Sequence, residues 1–305
     1  MTGAGSSTVA FVPEDSYNTT PGSPTYYLPG QNVQVETSEL SRNLARLAAP
    51  TDVEDSDAVA QRVDGQLDVS FVLNSDDFHR IVFNNASNTG FTSGAAASCE
   101  WYLGVDLSNG TTVERQIQGW APQTMTVNYQ GTTDSVRVSL SGLYAEEDTN
   151  TSITPGTIEN TSTGDEVPGH GAKWEFDSTT VSKLQSATLT ISNISRAHFG
   201  STDPVVQDVV TGDVNSELQA TGIFEGSTWL EYALGSSGAS SVEDFVNSVS
   251  STITFDHDGT TIADYSFSNA KPRNYNWQDL VARGSDLTEP ITWWASDVTA
   301  SDPTA

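Results

Sequence analysis

Gln34–Arg42 reads QVETSELSR, and Thr188–Arg196, 154 positions further along, reads TLTISNISR. In the first, Val33, Val35 and Thr37 alternate with Gln34, Glu36 and Ser38, the period of two that marks a half-buried strand. A second pair follows in the same order: Asn109–Thr112 (NGTT) leads into a segment closing on Asp148, and Asp258–Thr261 (DGTT) into one closing on Asp297, now 149 positions apart. Paired segments in one order predict a divergent tandem duplication in a β-rich chain. A chain that repeats itself points to a structural role before a catalytic one.

Working outward, each half offers the same series of elements. In the first, Val33–Glu39 and Leu67–Leu73 read as strands flanking a long acidic connection, Arg42–Asp64, the protruding tip of a long hairpin. Ser75-Asp76-Asp77 offers a helix start, with Phe78, Ile81 and Val82 as its apolar stripe. Strands are then expected at Cys99–Leu107, Thr112–Gln118, Met125–Tyr129 and Ser135–Leu143, with a hairpin turn at Asn109-Gly110. In the second half Thr188–Ile194 and Leu218–Phe224 flank the long connection Ser195–Gly212. A short helical stripe follows Gly226-Ser227 at Trp229, Tyr232 and Ala233, and an extra helix is expected over Val242–Val249. Strands at Ser250–Asp256 and Ile262–Phe267 flank the Asp258-Gly259 turn, and Ile291–Trp294 closes the half.

The resulting division is an extended arm over 1–32, a first domain over 33–148, a linker over 149–171 and a second domain over 172–305. Pro13, Pro21, Pro24 and Pro29 keep the arm out of regular structure, and Phe11, Tyr17, Tyr26 and Tyr27 are its anchors on a packing partner.

Charge is the outlier of the composition: 40 acidic against 12 basic residues give a net charge of −28 over 305 residues. At molar salt the Debye length falls to about 3 Å and such self-repulsion is screened. Scattered carboxylates, three lysines and many small residues are best explained by a halophilic source. Binding of nucleic acid through counterion release needs clustered Lys and Arg, which are missing. No stretch has the length and apolarity of a transmembrane span. Met1–Ala10 has neither the basic nor the apolar region of a signal peptide, so cytosolic synthesis is expected. Cys99 is alone, which excludes an intrachain disulfide and leaves it as a small apolar filler beside Trp101.

No catalytic set emerges. His79, His170, His198 and His257 lack paired metal spacing and read as surface or interface histidines. Asp256-His257-Asp258-Gly259 resembles a cation loop, but its counterpart Leu107-Ser108-Asn109-Gly110 keeps the turn without the carboxylates, and the downstream bidentate Glu of a calcium loop is missing. Trp293-Trp294 reads as core and interface aromatics rather than a sugar platform. The expectation is a non-enzyme without cofactor or metal.

Val9–Gly30 (VAFVPEDSYNTTPGSPTYYLPG) resembles the start of tail tube proteins of tailed viruses, with its P-E-x-x-Y-x-T-x-P-like run at Pro13–Pro21. An acidic connection and a D-F-like helix start at Asp77-Phe78 continue the resemblance. With the acidity, the chain is most similar to a tail tube protein of a virus infecting haloarchaea. The resemblance implies a mainly β fold of two tandem tail-tube-type β-sandwich or barrel domains, each with a flanking short α-helix and a long hairpin. It implies rings that stack into a tube, located in the virion tail and assembled in the host cytoplasm.

Family rings use six single-domain subunits, so a duplicated chain should close a homotrimeric, pseudo-hexameric ring. Expected partners are further copies of the chain and other tail proteins (tape measure, terminator, baseplate). Viral DNA would pass through a carboxylate-lined lumen without specific binding, and no membrane partner is expected. Arg42, Asp52, Glu54, Asp55, Asp57, Arg62, Arg196, Asp203 and Asp208 on the two tips are the expected contacts between rings. The rival readings are another tail ring protein, a halophilic cell-surface β-sandwich binding module, and an acidic hydrolase.

Overall fold

The computed structural model describes residues 7–48, 54–55, 57–131, 134–149, 158–159, 166–201, 203–281 and 284–303. The chain is mainly β, as its alternating segments predict. Its first half holds β1 (Ser7–Pro13), β2 (Tyr26–Tyr27), β3 (Gln31–Leu47), β4 (Asp57–Val72), β5 (Cys99–Asp106), β6 (Thr112–Tyr129), β7 (Arg137–Tyr144), β8 (Glu146–Thr149) and β9 (Ile158–Glu159). Its second half holds β10 (Ala172–Phe176), β11 (Thr179–Thr180), β12 (Leu184–Ser192), β13 (Ser195–Phe199), β14 (Val206–Thr211), β15 (Asn215–Ile223), α1 (Thr228–Leu234), β16 (Val249–His257), β17 (Thr260–Tyr275) and β18 (Thr288–Ala300).

One large sheet runs through both halves. Its central path pairs β3 with β4, β4 with β7 and β7 with β6, then β6 with β12, β12 with β15, β15 with β18 and β18 with β17. The sheet stays open among the described residues, so no barrel closes within the chain. All the pairings on this path are antiparallel, which allows one buried and one wet face. The buried face carries Leu67, Val69 and Phe71 on β4, Val138 and Leu140 on β7, and Met125 and Val127 on β6. It continues through Leu189 and Ile191 on β12, Leu218 on β15 and Trp293 on β18. The core beneath is one cluster across both halves, with tightly packed aromatics such as Trp101–Trp120 (centroids 5.7 Å apart) and Trp174–Trp229 (5.1 Å).

Several expectations change. Ser7–Pro13 is a regular strand, not an irregular arm: it pairs along its whole length with β5, and Phe11 is fully buried against Trp101. The run Val9-Ala10-Phe11-Val12 ahead of Pro13 supplied enough apolar surface to join the sheet before the prolines intervene. Of the other anchors, Tyr26 is buried, while Tyr17 and Tyr27 are half-buried. Glu14 fixes the turn that follows β1, accepting hydrogen bonds from the Asn18 amide (2.9 Å), the Gly119 amide (2.8 Å) and Ser98 Oγ (2.7 Å). Burial raises its pKa.

Thr112–Gln118 and Met125–Tyr129, expected as two strands, are one strand bent at Gly119, where φ is +63°, and bulged between Pro122 and Thr124. The bend lets β6 pair β5 with its first part and both β7 and β12 with its second. The helix expected after Ser75 is a 3-10 helix over Asp77–Ile81, whereas Thr228–Leu234 is α-helical. Val242–Val249 forms no helix. The two turns also differ: both Asp258 and Gly259 have positive φ, as a two-residue type I′ hairpin requires, while at the first turn only Gly110 does.

Candidate assembly surfaces

The central path ends in two unequal edges. β3 spans 17 residues and none of them is buried. Among the described residues it pairs only β4, and Val35, Leu40, Leu44 and Leu47 lie exposed along it. By contrast β12 buries Leu184, Ala187, Leu189 and Ile191, and β6 pairs its outer edge over Ala187–Ser192. At the opposite end, Lys271–Tyr275 of β17 pairs β18 on one side and no strand on the other, among the described residues. Thr124–Tyr129 of β6, at the matching point of the first half, is the stretch that receives β12. An edge of unpaired backbone groups is a template for another strand. Here β6 of the first half receives β12 of the second, and β3 and Lys271–Tyr275 are left as edges at the two ends of the path.

The solvent face of this path is a polar row. Across the register run Gln34, Ser70, Ser139, Thr126, Thr190, Glu217, Trp294 and Lys271. The adjacent row contributes Arg137, Asn128, Thr188, Gln219, Thr292 and Asn274. Hydroxyls and amides dominate these two rows, where Arg273 Nη1 donates to Glu217 Oε2 at 2.8 Å and Arg137 Nη2 to Ser70 Oγ at 3.3 Å. Trp293 is buried and Trp294 is 43% exposed, because neighbours on a strand face opposite sides.

Beyond β12 and β15 the second hairpin continues as the separate β13–β14 ribbon, and this ribbon lies on the first half. Val206 and Val209 are buried with Ala121 and Ala145. Ser195 Oγ donates to the Pro122 carbonyl (2.6 Å), the Ile194 amide to that of Gln123 (3.1 Å), and the Val63 amide to that of Pro204 (3.0 Å). Arg42, Ala60–Val63 and Phe199–Ser201 line a cleft of about 460 Å³ with Asp203 and Pro204.

A family model described as phage tail tube protein matches residues 5–282. The chain belongs to the phage tail tube protein family. It is therefore a structural component of a viral tail rather than a member of an enzyme family. No curated protein matches it significantly.

The expected contact residues of this tail tube chain fall into three places. Arg42 and Arg62 of the first hairpin and Asp203 of the second meet around the cleft. Glu54, Asp55 and Asp57 lie exposed at the first tip, where Arg46 pairs Asp55 at 3.4 Å, and Arg62 forms an ion pair with Asp64. Asp52 lies outside the described residues. Arg196 and Asp208 are exposed on the β13–β14 ribbon. Sequence reasoning missed Phe199, Val206 and Val209, although the paired valines Val205-Val206 and Val209-Val210 were a strand signal inside the connection.

No three metal-ligating side chains cluster among the described residues, and no described helix is long and apolar enough to cross a membrane. His79 is fully buried, not at the surface: Nδ1–H donates to the Ser301 carbonyl (3.1 Å) and Nε2 accepts from the Tyr265 hydroxyl (2.9 Å), joining the 3-10 helix to the second half. Burial lowers its pKa to about 4. Cys99 is buried in the core.

Proposed function

We propose that copies of this chain join edge to edge into a ring and that rings stack into a tube conducting viral DNA. The observation that carries this reading is the β6–β12 seam. It joins β6 of the first half to β12 of the second inside the chain, and on the duplicated reading β3 and Lys271–Tyr275 are the counterparts of β12 and β6 left without such a partner. Joining them between chains covers the edges that a lone subunit exposes.

Residues 33–148 and 172–305 are then two divergent wall segments, with 1–32 and 149–171 as arm and linker, and β1 of the arm completing the first segment's sheet. Two segments per chain make three chains sufficient for a six-segment wall. The channel is faced by the polar row of the central sheet. That row is rich in hydroxyls and amides, and Glu217 with Asp68 of the neighbouring row puts carboxylates on the same face, in keeping with an acidic lining. Such a surface holds no cluster of Lys or Arg to release counterions, so DNA slides past it.

The remaining carboxylates serve solubility at high salt, in keeping with a halophilic host, and the first tip serves contacts between rings. Tape measure, terminator and baseplate proteins complete the tail, which assembles in the host cytoplasm.

End-on negative-stain microscopy of the purified protein at molar salt tests the reading. Stacked rings of three chains are expected. Six or more full chains per ring would sink the counting rule, isolated rings that never elongate would favour a terminator or baseplate role, and monomers a surface binding module.

A further inference from the structure

The β13–β14 ribbon displays how a distal hairpin of this chain is seated. Thr92–Ala96 acts as an added edge for β14: the Ala96 amide donates to the Val209 carbonyl (3.3 Å), the Thr211 amide to that of Gly94 (2.9 Å), and Ala95 bridges Val210. Asn84 Nδ2 adds a bond to Thr211 Oγ1 at 2.8 Å. Both sides of this contact have a counterpart elsewhere in the chain.

On the hairpin side, the register Ser195↔Thr211, Arg196↔Val210 and Phe199↔Val206 is repeated by Ser41↔Asp64, Arg42↔Val63 and Ala45↔Val59. Val59–Asp64 thus stands where Val206–Thr211 stands. On the receiving side, Val242–Val246 lies three to seven residues ahead of β16, as Thr92–Ala96 does ahead of β5. Yet Val206 and Val209 are buried, while Val59 is 48% exposed and Val242 and Phe245 are 82% exposed.

We propose that the uncovered end of this strand at Val59, ahead of the Val63 amide that Pro204 already engages, docks on Val242–Val246 of a second copy, with Val59 and Leu47, which share a face of the ribbon, covering Phe245 and Val242. The occupant is a second copy because the chain already makes the other version of this contact within itself. The inference rests on the side-by-side reading above and specifies where it is locked. Ser41, the counterpart of Ser195, donates to the partner's β17 backbone as Ser195 does to Pro122.

Two variants of the full chain at molar salt test it. Val59→Cys with Phe245→Cys, mildly oxidised, is expected to give disulfide-linked oligomers on non-reducing gels that neither single variant gives, since native Cys99 is buried. Phe245→Asp is expected to yield monomers by light scattering with an unchanged circular dichroism spectrum. If Phe245→Asp misfolds, the cross-link alone decides. Normal rings from Phe245→Asp without interchain cross-linking, or a cross-link within one chain, would overturn the contact while leaving the ring reading intact. A parent chain that forms no rings would remove both.

Discussion

The guanidinium carbon of Arg62 stands 3.6 Å from the centroid of the Phe199 ring, on the line where the first hairpin meets the second ribbon. Together with the Val63–Pro204 backbone bond it ties the ribbon's turn to β4. Cation–π contacts contribute about 0.5–2 kcal/mol, rising as the pair is desolvated. Phe199→Ala is therefore expected to lower stability by roughly 1 kcal/mol and to speed amide exchange across Val206–Thr211 selectively. Arg196→Ala, on the exposed side of the same ribbon, should stay within about 0.5 kcal/mol. Equal exchange rates in Phe199→Ala and the parent would refute the clamp.

His79 sets a pH response. Its pKa falls from 6.5 to about 4 on folding because burial disfavours the imidazolium. Between these values the unfolded chain binds the proton and the folded chain does not, so stability drops as pH falls from about 6.5 towards 4. Each pH unit crossed in that window costs about 1.4 kcal/mol, which brings the whole loss to roughly 3 kcal/mol. Burial raises the Glu289 pKa to about 7 and acts in the opposite direction over the same range, so the His79 contribution is read as the gap between the urea midpoints of the parent and of His79→Gln, which should be widest near pH 7 and shrink towards pH 4. A gap between parent and His79→Gln that stays constant across this window would contradict the buried placement.

How much of this was legible in the sequence depends on whether a segment's partner was local. Val33–Glu39 and Leu67–Leu73 announced themselves by alternation, and Asp258-Gly259 by turn chemistry. Ser7–Pro13 did not, since its apolar run is continuous and sits among prolines. β6 was split in two because Gly119 and Pro122, which break a strand pattern, here make the bend that serves two sets of neighbours. Val242, Phe245, Val246 and Val249 have helical spacing behind Ser241, yet so short a segment is marginal alone, and Val242 and Phe245 stay largely uncovered. The β13–β14 ribbon was legible as a long connection, but its seat on the other half depends on contacts remote in sequence.

The two distal hairpins also differ in length. Between Ala45 and Asp57 the first has room for Arg46, Leu47 and the connection beyond, whereas Phe199 and Val206 close the second more tightly. In the stacked-ring function proposed above, the longer tip is the part that reaches an adjacent ring. Glu54→Lys with Asp55→Lys should change tube length and leave ring diameter and folding stability unaltered, because both positions are exposed. Tubes of parental length would assign stacking to another surface.

The edge strand offers the sharpest contrast. Val35 faces Val69 across β3–β4, and Leu189 faces Leu218 across β12–β15. Leu189 is buried because Val127 of β6 lies on its other side, and Val35 is 38% exposed because no described strand lies there. Leu189→Ala should thus destabilise the isolated chain by about 2–5 kcal/mol. Val35→Lys with Leu40→Lys should leave the isolated chain within about 1 kcal/mol of the parent, since both side chains are exposed and surface changes are mild. Lysine on an edge strand nonetheless opposes pairing with another strand, so the double variant should remain monomeric at protein concentrations where the parent forms rings. Light scattering with thermal unfolding on the same samples separates the two effects. Rings from the double lysine variant would mean that β3 is not the edge through which copies join.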